Sequence, residues 1–147
     1  PLGPRPAFVL HELNDPGNLG TLLRVADWFG LAGLYLSPGC VEPWGPKVVQ
    51  ASMGSVFRVP CWPVAAFEAF VQTHAHQLAA AVLAGPPPAE LNPAKRPGLL
   101  LGSESHGLPP ALLATPGLAP VSIPRHGPAE SLNAAIAGAV LAYAWVG

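Results

Sequence analysis

Short apolar runs bounded by glycine and proline alternate along the chain with longer stretches in which apolar residues recur at helical spacing. That alternation is the pattern of a mostly parallel sheet flanked by helices, an α/β fold. Strands are predicted over Ala7 to Leu10, Gly33 to Leu36, Val56 to Cys61, Leu78 to Leu83, Gly98 to Leu101 and Val121 to Ile123. Several are almost continuously Leu, Val, Ile or Ala, as expected for strands buried on both faces. Helices are predicted over Leu19 to Phe29, Pro46 to Ala51, Val64 to His74 and Ser131 to Trp145, with a short turn at Pro109 to Leu113.

In the last helix Ser131 is placed to cap the N-terminus, and Leu132, Ile136, Val140, Leu141 and Trp145 follow helical spacing. Its other positions are mostly Ala and Gly, which let a second helix approach closely. Two readings are open: an Ala-rich helix buried within one subunit, or one that also carries a subunit interface. The one long loop, Gly85 through Pro97, is too short for a domain linker, so residues 1–147 read as one domain.

Composition narrows the class. The 147 residues include 16 Gly and 20 Pro, but 50% are hydrophobic and only 10% charged, the opposite of a disordered chain. No apolar run reaches the roughly 18 residues needed to span a bilayer, and the N-terminus lacks a secretory signal, so a cytoplasmic protein without membrane contact is expected. Cys40 and Cys61 form neither a disulfide framework nor a metal site. The formal net charge is -1, with no basic run. A protein of this charge that acts on nucleic acid must use a few placed cations, a second subunit or a further domain.

Three segments combine Gly, Asn, Ser and isolated charges, and each follows an apolar strand. In an open parallel sheet, ligand sites form outside the carboxyl ends of the strands, so three such loops imply one composite site. The first is NDPGNLGTLLR, Asn14 to Arg24. Asn18 is placed to start the helix and Gly20 permits close backbone approach. Arg24, among apolar neighbours, either meets an anion or snorkels to solvent. The second is LLLGSESHGLPPALL, Leu99 to Leu113, where Glu104 is the only acidic charge and reads first as a loop carboxylate accepting backbone N–H bonds. It lacks the GK[ST] of a phosphate loop, and the chain has neither GxGxxG nor GxSxG. The third is VSIPRHGPAESLNAAIAGA, Val121 to Ala139, which opens the last helix; capping accounts for Ser131 more readily than for Asn133.

In this order, NDPGNLGTLLR, LLLGSESHGL and IPRHGPAESLNAA closely resemble the three signature motifs of the SpoU/TrmH family of RNA ribose 2′-O-methyltransferases. VVQASMGSVFRVP, Val48 to Pro60, is similar to the family's stretch between the first two motifs. The resemblance runs from about Phe8 to Trp145. It implies a SPOUT-type domain with a C-terminal deep trefoil knot, a feature that general topology rules treat as nearly absent. It also implies S-adenosylmethionine as cofactor, tRNA or rRNA as substrate, and a homodimer through the C-terminal helix. Gly102, Ile123 and Leu132 match positions that hold the cofactor, largely through backbone atoms, and Leu83 matches one bordering the adenine. Arg24, Asn18, Glu104, Ser131 and Asn133 match the polar residues of the catalytic pocket. Many relatives carry an additional N-terminal RNA-recognition domain, which is not visible in this sequence.

The implied reaction moves a methyl group from a sulfonium to a ribose hydroxyl, which requires in-line positioning and loss of a proton from a weak acid. A guanidinium stays protonated, so Arg24 is better suited to grip a phosphate and orient the hydroxyl than to act as base. The chain departs from the family at Arg125, where Met is common, and at His126; an extra cation there would touch RNA or disturb the cofactor. The alternative class is a non-catalytic knotted RNA-binding or assembly module.

Overall fold

Six strands, β1 (Ala7–Leu10), β2 (Leu34–Leu36), β3 (Cys61–Pro63), β4 (Leu78–Ala81), β5 (Gly98–Leu101) and β6 (Ala119–Val121), form one sheet in the order β3-β2-β1-β5-β4-β6. Every neighbouring pair is parallel. The computed structural model describes residues 2–147. Alternate side chains of the central strands enter opposite cores, as the apolar runs predict. Phe8 and Leu10 pack with Leu22, Leu23 and Leu141 on one face, whereas Ala7 and Val9 pack with Phe67, Val71 and Leu112 on the other. The first face is covered by α1 (Pro16–Phe29), α2 (Pro46–Ser52) and α5 (Ala134–Val146), the second by α3 (Phe67–His74) and α4 (Pro110–Leu113). Among the described residues no helix is long and apolar enough to cross a membrane.

Two close approaches hold the first face together. A Cβ added at Gly20 of α1 would lie 2.5 Å from Ala51 Cβ and 2.9 Å from Ser52 N, so glycine lets the backbones of α1 and α2 touch. A Cβ added at Gly138 of α5 would meet Leu22 Cδ2 at 2.5 Å. The far end of α5 is anchored by Trp145, whose Nε1 donates to Arg96 O at 3.1 Å. Arg96 in turn donates from Nη1 to the carbonyls of Ala75, Leu78 and Gly117.

The structure corrects several boundaries. The predicted strand Val56 to Cys61 is a 3-10 turn, Ser55–Phe57, followed by β3 two residues beyond Val59. Short apolar runs do not distinguish strand from helix; here Ser55 Oγ donates to Asp27 Oδ2 and Arg58 N to Ser55 O, curling the segment onto α1. The sixth strand ends at Val121 rather than Ile123 because Ser122 leaves the ladder, its N and Oγ donating to Pro86 O and Gly85 O. β4 stops at Ala81, leaving Leu83 outside it. α3 starts at Phe67 rather than Val64. α1 starts at Pro16, with Asp15 rather than Asn18 as its cap, because the Asp15 carboxylate accepts from Asn18 N at 2.9 Å. α5 starts at Ala134, and its cap is Asn133 rather than Ser131: the Asn133 Oδ1 accepts from Ala135 N and Ile136 N.

Gly20→Ala is expected to lower stability by about 1–3 kcal/mol, since a methyl group against backbone forces the helices apart. Gly127→Ala, with nothing within 4 Å of its Cβ position, is expected to stay within about 0.5 kcal/mol. Urea unfolding midpoints compare the two.

Candidate active site

Because all six strands run parallel, their carboxyl ends share one rim. Leu101, Leu10, Leu36 and Pro63 pair in a continuous row across β5, β1, β2 and β3. On the other side of β5, Ala81 pairs with Val121. The loops at 11–15, 102–108 and 122–133 therefore leave the sheet at the same level, where the three motif segments were expected to converge.

The convergence is made by side chains. Asn18, 8% exposed, donates from Nδ2 to Glu104 Oε1 at 3.0 Å. Its Oδ1 accepts from Asn133 Nδ2 at 2.9 Å. Asn133 spends its own Oδ1 on capping α5. Three segments separated by 86 and 115 residues are thus joined through one amide. Glu104 accepts from this amide rather than from backbone N–H groups. The turn that carries it is tight: Ser103 and Gly107 form an isolated bridge, Gly107 has φ 64°, and His106 N donates to Ser103 Oγ. A Cβ added at Gly102 would lie 2.3 Å from the Gly107 carbonyl carbon, so the strand leaves the sheet as bare backbone.

The other expected residues stand outside this network. Ile123 is half-buried against the core, whereas Leu83 and Leu132, 76% and 49% exposed, stand on the loops after β4 and before α5. The Ser122 bonds to Gly85 and Pro86 tie those two loops together. Ser131 is exposed in the loop before α5. Arg24 is exposed on the outward side of α1, in a shallow hollow with Thr21, Val25 and Trp28. The structure therefore brings Asn18, Glu104 and Asn133 into contact within one chain, and Arg24 and Ser131 face solvent.

Sequence reasoning missed two positioning residues. Asp15 precedes Pro16, and an acidic cap followed by proline at the first helical position was a readable signal. Ser122 lies in an apolar run, and nothing local marks it as the clamp between two loops.

The chain is similar to known proteins along nearly its whole length. The family model described as the SpoU rRNA Methylase family matches residues 5–143. The chain is 38% identical over 144 residues to the uncharacterized tRNA/rRNA methyltransferase slr1673 of Synechocystis, covering 95% of this chain and 52% of that protein. It is 31% identical over 147 residues to the 23S rRNA (guanosine(2553)-2'-O)-methyltransferase RlmP of Bacillus subtilis, covering 95% of this chain and 57% of that protein. The chain thus spans about half the length of these curated relatives. Among solved structures, the AdoMet-bound rRNA methyltransferase from Sinorhizobium meliloti superposes with a TM-score of 0.86 at 34% identity, covering 98% of this chain and 56% of that one.

Asn18→Asp tests the network. It replaces a donor by a carboxylate against Glu104, which raises proton affinity in the folded state. The expected loss is about 1–3 kcal/mol at pH 7. It is full above the raised folded-state value and shrinks as the pH falls through it. Unfolding curves at neutral and mildly acidic pH measure this; an equal loss at both would show that the two side chains do not interact.

Proposed function

This chain belongs to the SpoU rRNA methylase family, and from that premise we propose that it is the catalytic domain of a cytoplasmic, S-adenosylmethionine-dependent methyltransferase acting on a ribose 2′-hydroxyl of tRNA or rRNA. The carrying observation is the Asn18–Glu104–Asn133 network, which joins the three motif loops at one rim. A C-terminal trefoil knot is part of the proposal. What supports it is the path of residues 122–133, which start beside Gly85 and Pro86, reach Asn18 through Asn133 and enter α5 packed against α1.

The residues present fit the cofactor. Gly102 offers bare backbone, exposed Leu83 and Leu132 offer apolar surface to a purine, and half-buried Ile123 lies on the same rim. Bound there, S-adenosylmethionine would supply an electrophilic methyl group. The chain's own groups hold the geometry: Asn133 fixes the start of α5, Asn18 holds Asn133, and Glu104 holds Asn18. In this reading Arg24 grips a substrate phosphate and orients the hydroxyl, whose proton leaves to phosphate or water.

A homodimer completes the proposal. Trp28 and Tyr143 are 84% and 71% exposed, Ile136 and Val140 are also exposed, and Phe29 meets Tyr143 at 6.5 Å between ring centroids, so α1 and α5 present one apolar face. Such a face on a water-facing surface calls for a partner, and a second copy buries it isologously. Arg24 lies one turn before Trp28 and would then stand at the subunit boundary.

Calorimetry is expected to show S-adenosylmethionine binding, and tritiated methyl transfer to bulk RNA is expected to follow. Arg24→Lys should keep cofactor binding and lose about 10- to 100-fold in transfer, as a bidentate grip becomes a point charge. Absence of cofactor binding in the unaltered protein would leave only the non-catalytic module. For the dimer, Tyr143→Asp is expected to give a folded monomer by sedimentation and circular dichroism; an unchanged dimer would place the interface elsewhere.

A further inference from the structure

A second feature lies along the edge strand β3, away from the motif loops. A groove of about 540 Å³ opens between the turn at 42–44 and residues 56–63. Its floor includes Leu36 and Pro63, the paired last residues of β2 and β3. Trp44 and Phe57, 58% and 72% exposed, stand over it as a tilted pair with ring centroids 5.6 Å apart. Glu42 and Arg58 line it as well. Arg58 is held by Asp27 through Nε at 2.8 Å and Nη2 at 2.6 Å, so its guanidinium plane is set in advance. The Cys61 thiol in the wall is pushed up to about 11 by burial and by the Glu42 carboxylate, and is uncharged at neutral pH.

Resting on the methyltransferase reading, we propose that this groove seats an unstacked nucleobase of single-stranded RNA flanking the target nucleotide. The position fits, because Pro63 lies in the same cross-strand row as Leu10, two strand spacings or about 10 Å away. The chemistry fits as well. Exposed rings stack on any base, the Glu42 carboxylate accepts from base N–H groups, and Arg58 offers a flat cation edge. Charge gives the strongest reason. With a net charge of -1 and no basic run, these 147 residues have little phosphate attraction of their own to draw on, so stacking and a few placed contacts are the RNA hold this surface can offer. The apolar α1/α5 face suits a second copy better than this groove, whose walls carry opposite charges.

The test uses the 147-residue chain and a fluorescein-labelled, mixed-sequence single-stranded RNA of about 12 nucleotides, within the usual site size of such surfaces. Trp44→Ala and Phe57→Ala are each expected to weaken binding about 5- to 150-fold in fluorescence anisotropy. Trp44→Phe should retain most of the affinity. The salt dependence should stay unchanged, since no phosphate contact is removed. Cofactor affinity by calorimetry and dimerisation by sedimentation should also be unaltered. Independently of any variant, irradiation with a 5-bromouridine-containing RNA of the same length should cross-link the peptide that holds Trp44 or Phe57. Full RNA affinity in the doubly substituted protein would overturn the proposal. So would an altered sedimentation coefficient with RNA binding intact, which would make the groove a protein contact. An unaltered protein that binds S-adenosylmethionine but not RNA overturns the groove alone, whereas one that binds neither overturns the methyltransferase reading with it.

Discussion

A buried side-chain amide cannot leave its N–H and C=O groups unpaired without cost, and Asn18 meets that demand only by reaching Glu104 and Asn133 at once. One polar requirement therefore fixes three loops that follow different strands. The arrangement is economical because both asparagines have a second task. Asn18 N is also bound by the cap of α1, and Asn133 Oδ1 is the cap of α5. Loop geometry and helix starts are coupled, so the rim is organised by the same bonds that terminate the helices.

The parallel sheet supplies the remaining order. Because the carboxyl ends of all six strands lie at one edge, the network and the loops tied by Ser122 share one surface, and the aromatic groove runs along β3 to meet it at Leu36 and Pro63. The lateral surface is different: the large exposed side chains of α1 and α5 are apolar, with Thr21 and Arg24 among them. The two surfaces thus differ in kind, one apolar and lateral, the other carrying isolated charges and rings.

Much of this was legible beforehand. The apolar runs placed β1 and β5 to the residue, and of the five polar residues that the family resemblance named, Asn18, Glu104 and Asn133 meet whereas Arg24 and Ser131 face solvent. Where reading failed, a distant partner decided. Asp27 of α1 draws Ser55 and Arg58 into a turn where local pattern reads strand, and Pro86 and Gly85 pull Ser122 out of β6. The final cap moved from Ser131 to Asn133, whose Oδ1 holds the helix start while its Nδ2 donates to Asn18.

Sequence by itself determined the α/β class, the two-sided burial of the strands and the identity of the polar residues, because periodicity and residue chemistry act over short distances along the chain. Tertiary structure alone decided which of those residues touch. A hydrogen bond spanning 86 or 115 residues depends on how strands are ordered in the sheet, and that order is a property of packing rather than of any local segment. For the same reason Arg24, among apolar neighbours in the chain, ended on the outward face of α1, with its place in a site left to what covers that face.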